Sequence, residues 1–219
     1  MLQTSISSLL ASGAQILRRA ERDGQRCGGP VLLAGLVLGL GVVELSSGPL
    51  GQTSRFSLEL LILLVLQLIG PMLVSVLSMA LLLPSWLDPD PAQQAGARGW
   101  DQALPAAAVV GALLLLQLLM AAVIGGVVAS PRGDVIGELR DLASGVLIVD
   151  LLRSMLRAGL FLTILCTWCQ TRGHSQRRQG HAPALVSSNL LLEGLILLLA
   201  LKLLWITAID PLRLSTSAQ

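Results

Sequence analysis

The fold class this sequence predicts is an all-α membrane protein: an N-terminal interfacial amphipathic helix followed by five transmembrane helices, N-in and C-out. Three observations predict it. Hydrophobic residues are 53% of the 219 and charged residues only 13%, against roughly 25% charged on an ordinary globular protein. Mean hydropathy is +0.76. The apolar residues gather in five stretches, each long enough for the about 20 helical residues that cross a hydrocarbon core. A formal charge of +2 and 3% aromatic residues exclude a nucleic-acid surface, which needs basic side chains and rings to stack on bases. Three cysteines cannot form a closed disulfide framework.

Residues 1–29 form the first unit. Leu2, Ile6, Leu9, Leu10, Ile16 and Leu17 recur on one side of a helix, with Ser, Gln and Arg elsewhere, the pattern of a helix lying in the membrane interface. Arg18, Arg19, Arg22 and Arg26 follow as a basic linker; the alternative is a frayed N-terminus. The segment does not read as a cleaved signal, because the apolar run begins only at Pro30 and Val43-Glu44-Leu45-Ser46 after it lacks a small-x-small site. Residues 30–208 hold the crossings, at 30–48, 57–83, 104–129, 146–169 and 184–208, and residues 209–219 are a short tail. In the first crossing, Gly35-x-x-x-Gly39 lets a neighbouring helix approach closely. The second is about 40 Å long at 1.5 Å per residue, and Gly70-Pro71 near its middle predicts a kink or break.

Orientation follows from the loop cations, which stay cytoplasmic. With the N-terminus inside, the inner segments carry Arg18, Arg19, Arg22, Arg26, Arg98, Arg172, Arg177 and Arg178, and the outer ones Arg55, Arg132, Arg140 and Arg213. Eight against four favours N-in and C-out.

Ionisable residues in the crossings need a partner, water or an interface. Glu44 and Glu59 lie close to the outer ends of their helices. Asp150, Arg153 and Arg157 share one face of the fourth helix. Counted from Cys169 as the inner end, Arg157 comes to a depth of about 18 Å and Asp150 to about 28 Å; counted from residue 184, Glu193 reaches about 14 Å and Lys202 about 27 Å. Depth matches Arg157, near the midplane, with Glu193 and Asp150 with Lys202, but Glu193 and Lys202 are about half a turn out of phase, so straight helices cannot make both pairs; the expectation is Arg157 with Glu193 and Lys202 snorkelling outward. Such a pair either fixes helix packing or meets a charged head group in an internal cavity.

Other motifs carry less. Cys166-x-x-Cys169 with His174 and His181 lies at the end of a membrane helix with no standard metal spacing, so these read as packing residues, with no metal and no cofactor. No P-loop or Gly-rich strand-to-helix turn offers a nucleotide site. The two histidines have no G-x-S-x-G near them, which argues against an intramembrane hydrolase. An ion or proton pathway through Asp150, Arg157 and Glu193 has few acids in series.

Taken in order, the chain resembles the MlaE-type permease subunits of ABC transporters that move lipids with MCE proteins. Ile69-Gly70-Pro71-Met72-Leu73-Val74-Ser75-Val76-Leu77 looks like the family's Leu-Gly-Pro-Val-Leu-Thr segment. Asp150, Arg157, Phe161 and Gly173 keep the spacing of its fourth helix, and Ala184-Leu185-Val186-Ser187-Ser188 resembles the start of its last. Where the family has an acidic coupling helix, this chain has Leu83-Pro84-Ser85-Trp86-Leu87-Asp88-Pro89-Asp90-Pro91 and then Gln93 to Asp101. The resemblance implies a conduit and not an enzyme, working as a homodimer or permease heterodimer with a cytoplasmic ATPase subunit and an MCE-type substrate-binding protein. The membrane it implies is a bacterial inner membrane or an organelle membrane of bacterial descent. Gly70, Pro71, Arg153, Arg157 and Glu193 would line the lipid path. Trp86, Asp88, Asp90, Arg98, Asp101, Arg172, Arg177 and Arg178 would meet the ATPase. The altered coupling segment supports the alternative, a membrane scaffold that keeps the permease fold without transporting.

Overall fold

The computed structural model describes residues 2–47, 61–87, 99–129, 148–179 and 183–208, and the elements in them are all helical. Helix α1 spans Leu2–Ser47. A π-helical turn, Leu64–Ile69, runs directly into α2, Gly70–Leu87. Helix α3 spans Gly99–Ala129, α4 Ile148–Arg178 and α5 Pro183–Ala208. Among the described residues, four stretches are long and apolar enough to cross a membrane: Gly13–Leu45, Leu61–Leu87, Ala103–Ala129 and Leu185–Thr207. Helix α4 has the length, with 31 residues. Its hydropathy is interrupted by Asp150, Arg153 and Arg157 near one end and by a polar run after Cys169 at the other.

The separate interfacial helix expected over 1–29 is instead the first part of α1, which has 46 residues and passes through Pro30 unbroken. At 1.5 Å per residue it is about 69 Å long, more than twice the thickness of a hydrocarbon core. Pro30 lacks the N–H that would reach Arg26 and crowds its carbonyl. Packing maintains the helix across that defect, because Ile16, Ala20, Cys27 and Val31 lie on one face against the core.

Helix α3 is the centre of the bundle, and small residues let its neighbours approach. A Cβ on Gly35 would lie 2.6 Å from the Leu118 carbonyl oxygen and 2.8 Å from Ala121 Cβ, and one on Gly39 would strike the Ala122 carbonyl. Gly35-x-x-x-Gly39 is therefore a contact face, and the order of these contacts makes α1 and α3 parallel. Against α4, which runs antiparallel, a Cβ on Gly111 would come within 2.8 Å of the Ala158 oxygen and one on Gly159 within 2.7 Å of the Ala108 oxygen. Lipid tails are as apolar as leucine, so burial alone does not hold such helices together. Close backbone approach, with its many dispersion contacts, does.

The remaining helices alternate in direction. Helix α2 runs parallel to α4, with Gln67 beside Arg157 at one end and Leu87 against Gly173 at the other. Helix α5 is antiparallel to both, as the contacts Arg172–Glu193 and Met79–Gly194 show. Phe161, Leu114, Leu115, Leu118, Leu162 and Leu165 fill the interior. Leu33, Val37, Val128, Ile196 and Leu203 are each at least 65% exposed. An exterior this apolar belongs in lipid, and the chain is an integral membrane protein.

Candidate functional site

The site begins with a missing hydrogen. In an α-helix residue 71 would donate its N–H to the carbonyl four residues back, that of Gln67. Pro71 has none to donate. The backbone opens here into the π turn, and the Gly70 N–H donates to the Val65 carbonyl, five residues back. Glycine is needed at this step, since a Cβ on Gly70 would collide with the Val65 carbonyl and lie 2.8 Å from Leu115 Cδ1. One turn further on, Ser75 Oγ donates to the Pro71 carbonyl at 2.7 Å.

Two cations from other helices supply what the proline removed. Arg157 Nη1 of α4 donates to the Gln67 carbonyl at 3.0 Å, and Lys202 Nζ of α5 donates to the same oxygen at 2.5 Å. A carbonyl oxygen has two lone pairs, so these bonds fill its capacity. Both side chains are buried, at 4% and 6% exposure. The Arg157 guanidinium also lies over the Trp205 ring, 4.7 Å from its centroid, a contact that contributes about 0.5–2 kcal/mol. Phe161 holds that ring edge-on, with centroids 6.1 Å apart and planes at 85°. Lys202 and Trp205 are three residues apart on α5 and so share a face.

Arg153 lies one turn before Arg157 on the same face of α4. Its Nη1 is buried and meets no acceptor among the described residues, and the same holds for Trp205 Nε1. The Gln67 side chain is exposed, so this patch lies at the flank of the bundle. Asp150, half-buried, opens α4, where a carboxylate suits the positive end of the helix dipole.

Two expected pairings are corrected. Glu193 does not meet Arg157. Its Oε2 is 3.4 Å from Arg172 Nε, in a pair whose side chains are 33% and 53% exposed. Lys202 does not snorkel outward, but turns inward to Gln67. The cause is the register of α4 and α5. Helix α4 does not stop at Cys169, where its apolar run ends, but continues to Arg178. Those nine further residues add about 14 Å, so Arg157 lies level with Trp205 and not with Glu193. Gly70 and Pro71 are both buried, and the residue presented outward at this level is Gln67.

The expected ATPase-contact residues that are described lie toward one end of the bundle, where α2 and α4 finish and α3 begins. Trp86 is 4% exposed and packs in the core, which leaves its ring little surface to offer a partner. Arg172 is exposed and paired with Glu193. Arg177 and Arg178 lie in the last turn of α4 and Asp101 in the first turn of α3, while Asp88, Asp90 and Arg98 lie outside the described residues. Gly173 packs where three helices meet, with a built Cβ colliding with Leu87 and lying 3.4 Å from Leu190 Cδ1. Cys27, Cys166 and Cys169 are free and buried, and among the described residues no His, Cys, Asp and Glu side chains gather as a metal site would require. His181 is outside the described residues.

Gln67 and Trp205 were not evident from apolar patterning. A signal for Gln67 does exist, because a residue four before a helical proline has a carbonyl without its donor. Comparison of the chain with protein-family models, with curated proteins and with solved structures gave no match.

Proposed function

We propose that this chain is the membrane-embedded permease subunit of an ABC-type lipid transporter, with phospholipid-like cargo and ATP hydrolysis carried out by a partner. In this reading α4 is the fourth of five crossings, the N-terminus is inside and the C-terminus outside, and an MCE-type protein exchanges lipid with the bundle. The observation that carries the proposal is the broken second crossing. At Gly70-Pro71, where the resemblance to MlaE-type permeases is strongest, the helix opens into a π turn and two buried cations converge on it. Single π turns are frequent at functional sites, and an ionisable side chain within the membrane is by default a functional-site candidate. The alternating directions of the helices support α4 as a crossing, since α4 lies parallel to the apolar span Leu61–Leu87 from Gln67 to Leu87.

A second reading, a scaffold that keeps the permease fold, is favoured by a different observation. Arg157 and Lys202 already serve a carbonyl that Pro71 leaves without a donor, and a structural role accounts for that much. Purification from native membranes in mild detergent separates the two. Transport predicts a copurifying ATPase whose activity rises with added lipid, and the scaffold predicts a complex with no nucleotide hydrolysis. Absence of an associated ATPase would overturn the transport reading.

A further inference from the structure

We infer that Arg153, Arg157, Lys202 and Trp205 form a binding site for the phosphodiester of an anionic lipid headgroup, which takes Arg157 and Lys202 over from the Gln67 carbonyl. The inference rests on the lipid-transport reading for the lipid and on the geometry of the patch for the charge.

Two of the donors in the patch have no acceptor among the described residues. Arg157 Nη1 and Lys202 Nζ share one carbonyl oxygen, while Arg153 Nη1 and Trp205 Nε1 are buried without an acceptor among the described residues. A buried donor left without an acceptor carries a desolvation cost that a ligand can remove. A phosphodiester has two non-bridging oxygens that share a full negative charge, so it can accept from all four groups. Each bond it takes from a guanidinium or ammonium is stronger than one to a neutral amide. Arginine recognises such oxygens in the plane of its fork.

The surroundings suit a lipid. Leu68 of the π turn, Leu152 and Leu156 of α4, and Leu203 and Leu204 of α5 are all exposed, so apolar side chains border the patch and acyl chains can lie along them. Charge selects the headgroup. A choline would bring a fourth cation beside three, whereas phosphatidylglycerol brings only its phosphate. Binding also reaches the backbone. Once the phosphate takes Arg157 and Lys202, the Gln67 carbonyl loses the donors that replaced the Pro71 N–H, and the π turn is released to change its helical winding.

The test is native mass spectrometry of the purified full chain in detergent, titrated with dioleoyl phosphatidylglycerol, with dioleoyl phosphatidylcholine and with glycerol 1-phosphate. The expected result is retention of phosphatidylglycerol roughly tenfold tighter than phosphatidylcholine, with no saturable binding of glycerol 1-phosphate. Arg153→Gln should weaken phosphatidylglycerol roughly tenfold, the factor for one charge-assisted hydrogen bond, without changing helix content or melting temperature, because Arg153 Nη1 meets no acceptor among the described residues. Equal retention of the two lipids, or an Arg153→Gln chain that retains phosphatidylglycerol as well as the parent does, overturns the site. Saturable binding of glycerol 1-phosphate overturns its assignment to lipid. Selective lipid retention by a chain that never copurifies with an ATPase would reject the transport reading alone. A copurified ATPase with no lipid preference would reject the site alone.

Discussion

A single absent N–H organises the polar patch at the flank of this bundle. Pro71 takes the α-helical donor from the Gln67 carbonyl, and Arg157 and Lys202 replace it from two other helices. Lys202→Met should therefore lower stability in detergent by about 1–3 kcal/mol, the cost of a buried polar group losing a charged partner. In a Pro71→Ala background the same change should cost clearly less, because the substituted residue supplies the backbone donor. Thermal unfolding of the four members of that double-mutant cycle measures the coupling, and equal penalties in both backgrounds would contradict it. Glu193→Gln is the contrasting case. Its partner Arg172 is 53% exposed, and loss of so exposed a pair should move stability by less than about 0.5 kcal/mol in the same assay.

At the scale of elements, close approach of α1 to α3 depends on the small face at Gly35 and Gly39. Gly39→Leu should overpack it and destabilise by about 1–3 kcal/mol, whereas Gly41→Leu, whose added Cβ would meet nothing within 4 Å, should leave the melting temperature near that of the parent. Similar losses for both would show that the interface does not rest on small residues. The same features explain what the sequence made legible. Apolar length located the spans Leu61–Leu87, Ala103–Ala129 and Leu185–Thr207 to within four residues at either end, Gly35-x-x-x-Gly39 announced its contact, and Gly70-Pro71 announced the break. The ends of α4 and α1 were not legible, because hydropathy reports where lipid ends and not where backbone hydrogen bonding ends. Helix α4 continues past Cys169 through a polar run to Arg178, and α1 extends back from Pro30 to Leu2. The first of these extensions shifted the register with α5 and with it the partner of Arg157. Inward-turning Lys202 was hidden for a further reason, since its acceptor is a backbone atom of Gln67 and no side-chain pattern reports it.

At the scale of the molecule, everything proposed depends on α4 crossing the bilayer beside α2 despite Asp150, Arg153 and Arg157. Only then does Arg157 meet the Gln67 carbonyl within the apolar spans, close to the end at which Leu61–Leu87 begins and Leu185–Thr207 finishes, and not at the midplane that depth counting predicts. Two exposed positions bracket the helix, Val149 near its start and Ser175 near its end. In a chain with Cys27, Cys166 and Cys169 replaced by alanine, single cysteines at these two positions can be labelled with an impermeant maleimide in sealed right-side-out and inverted vesicles. A crossing α4 predicts labelling of Val149→Cys from the outer face only and of Ser175→Cys from the inner face only. Labelling of both from the same face would contradict it.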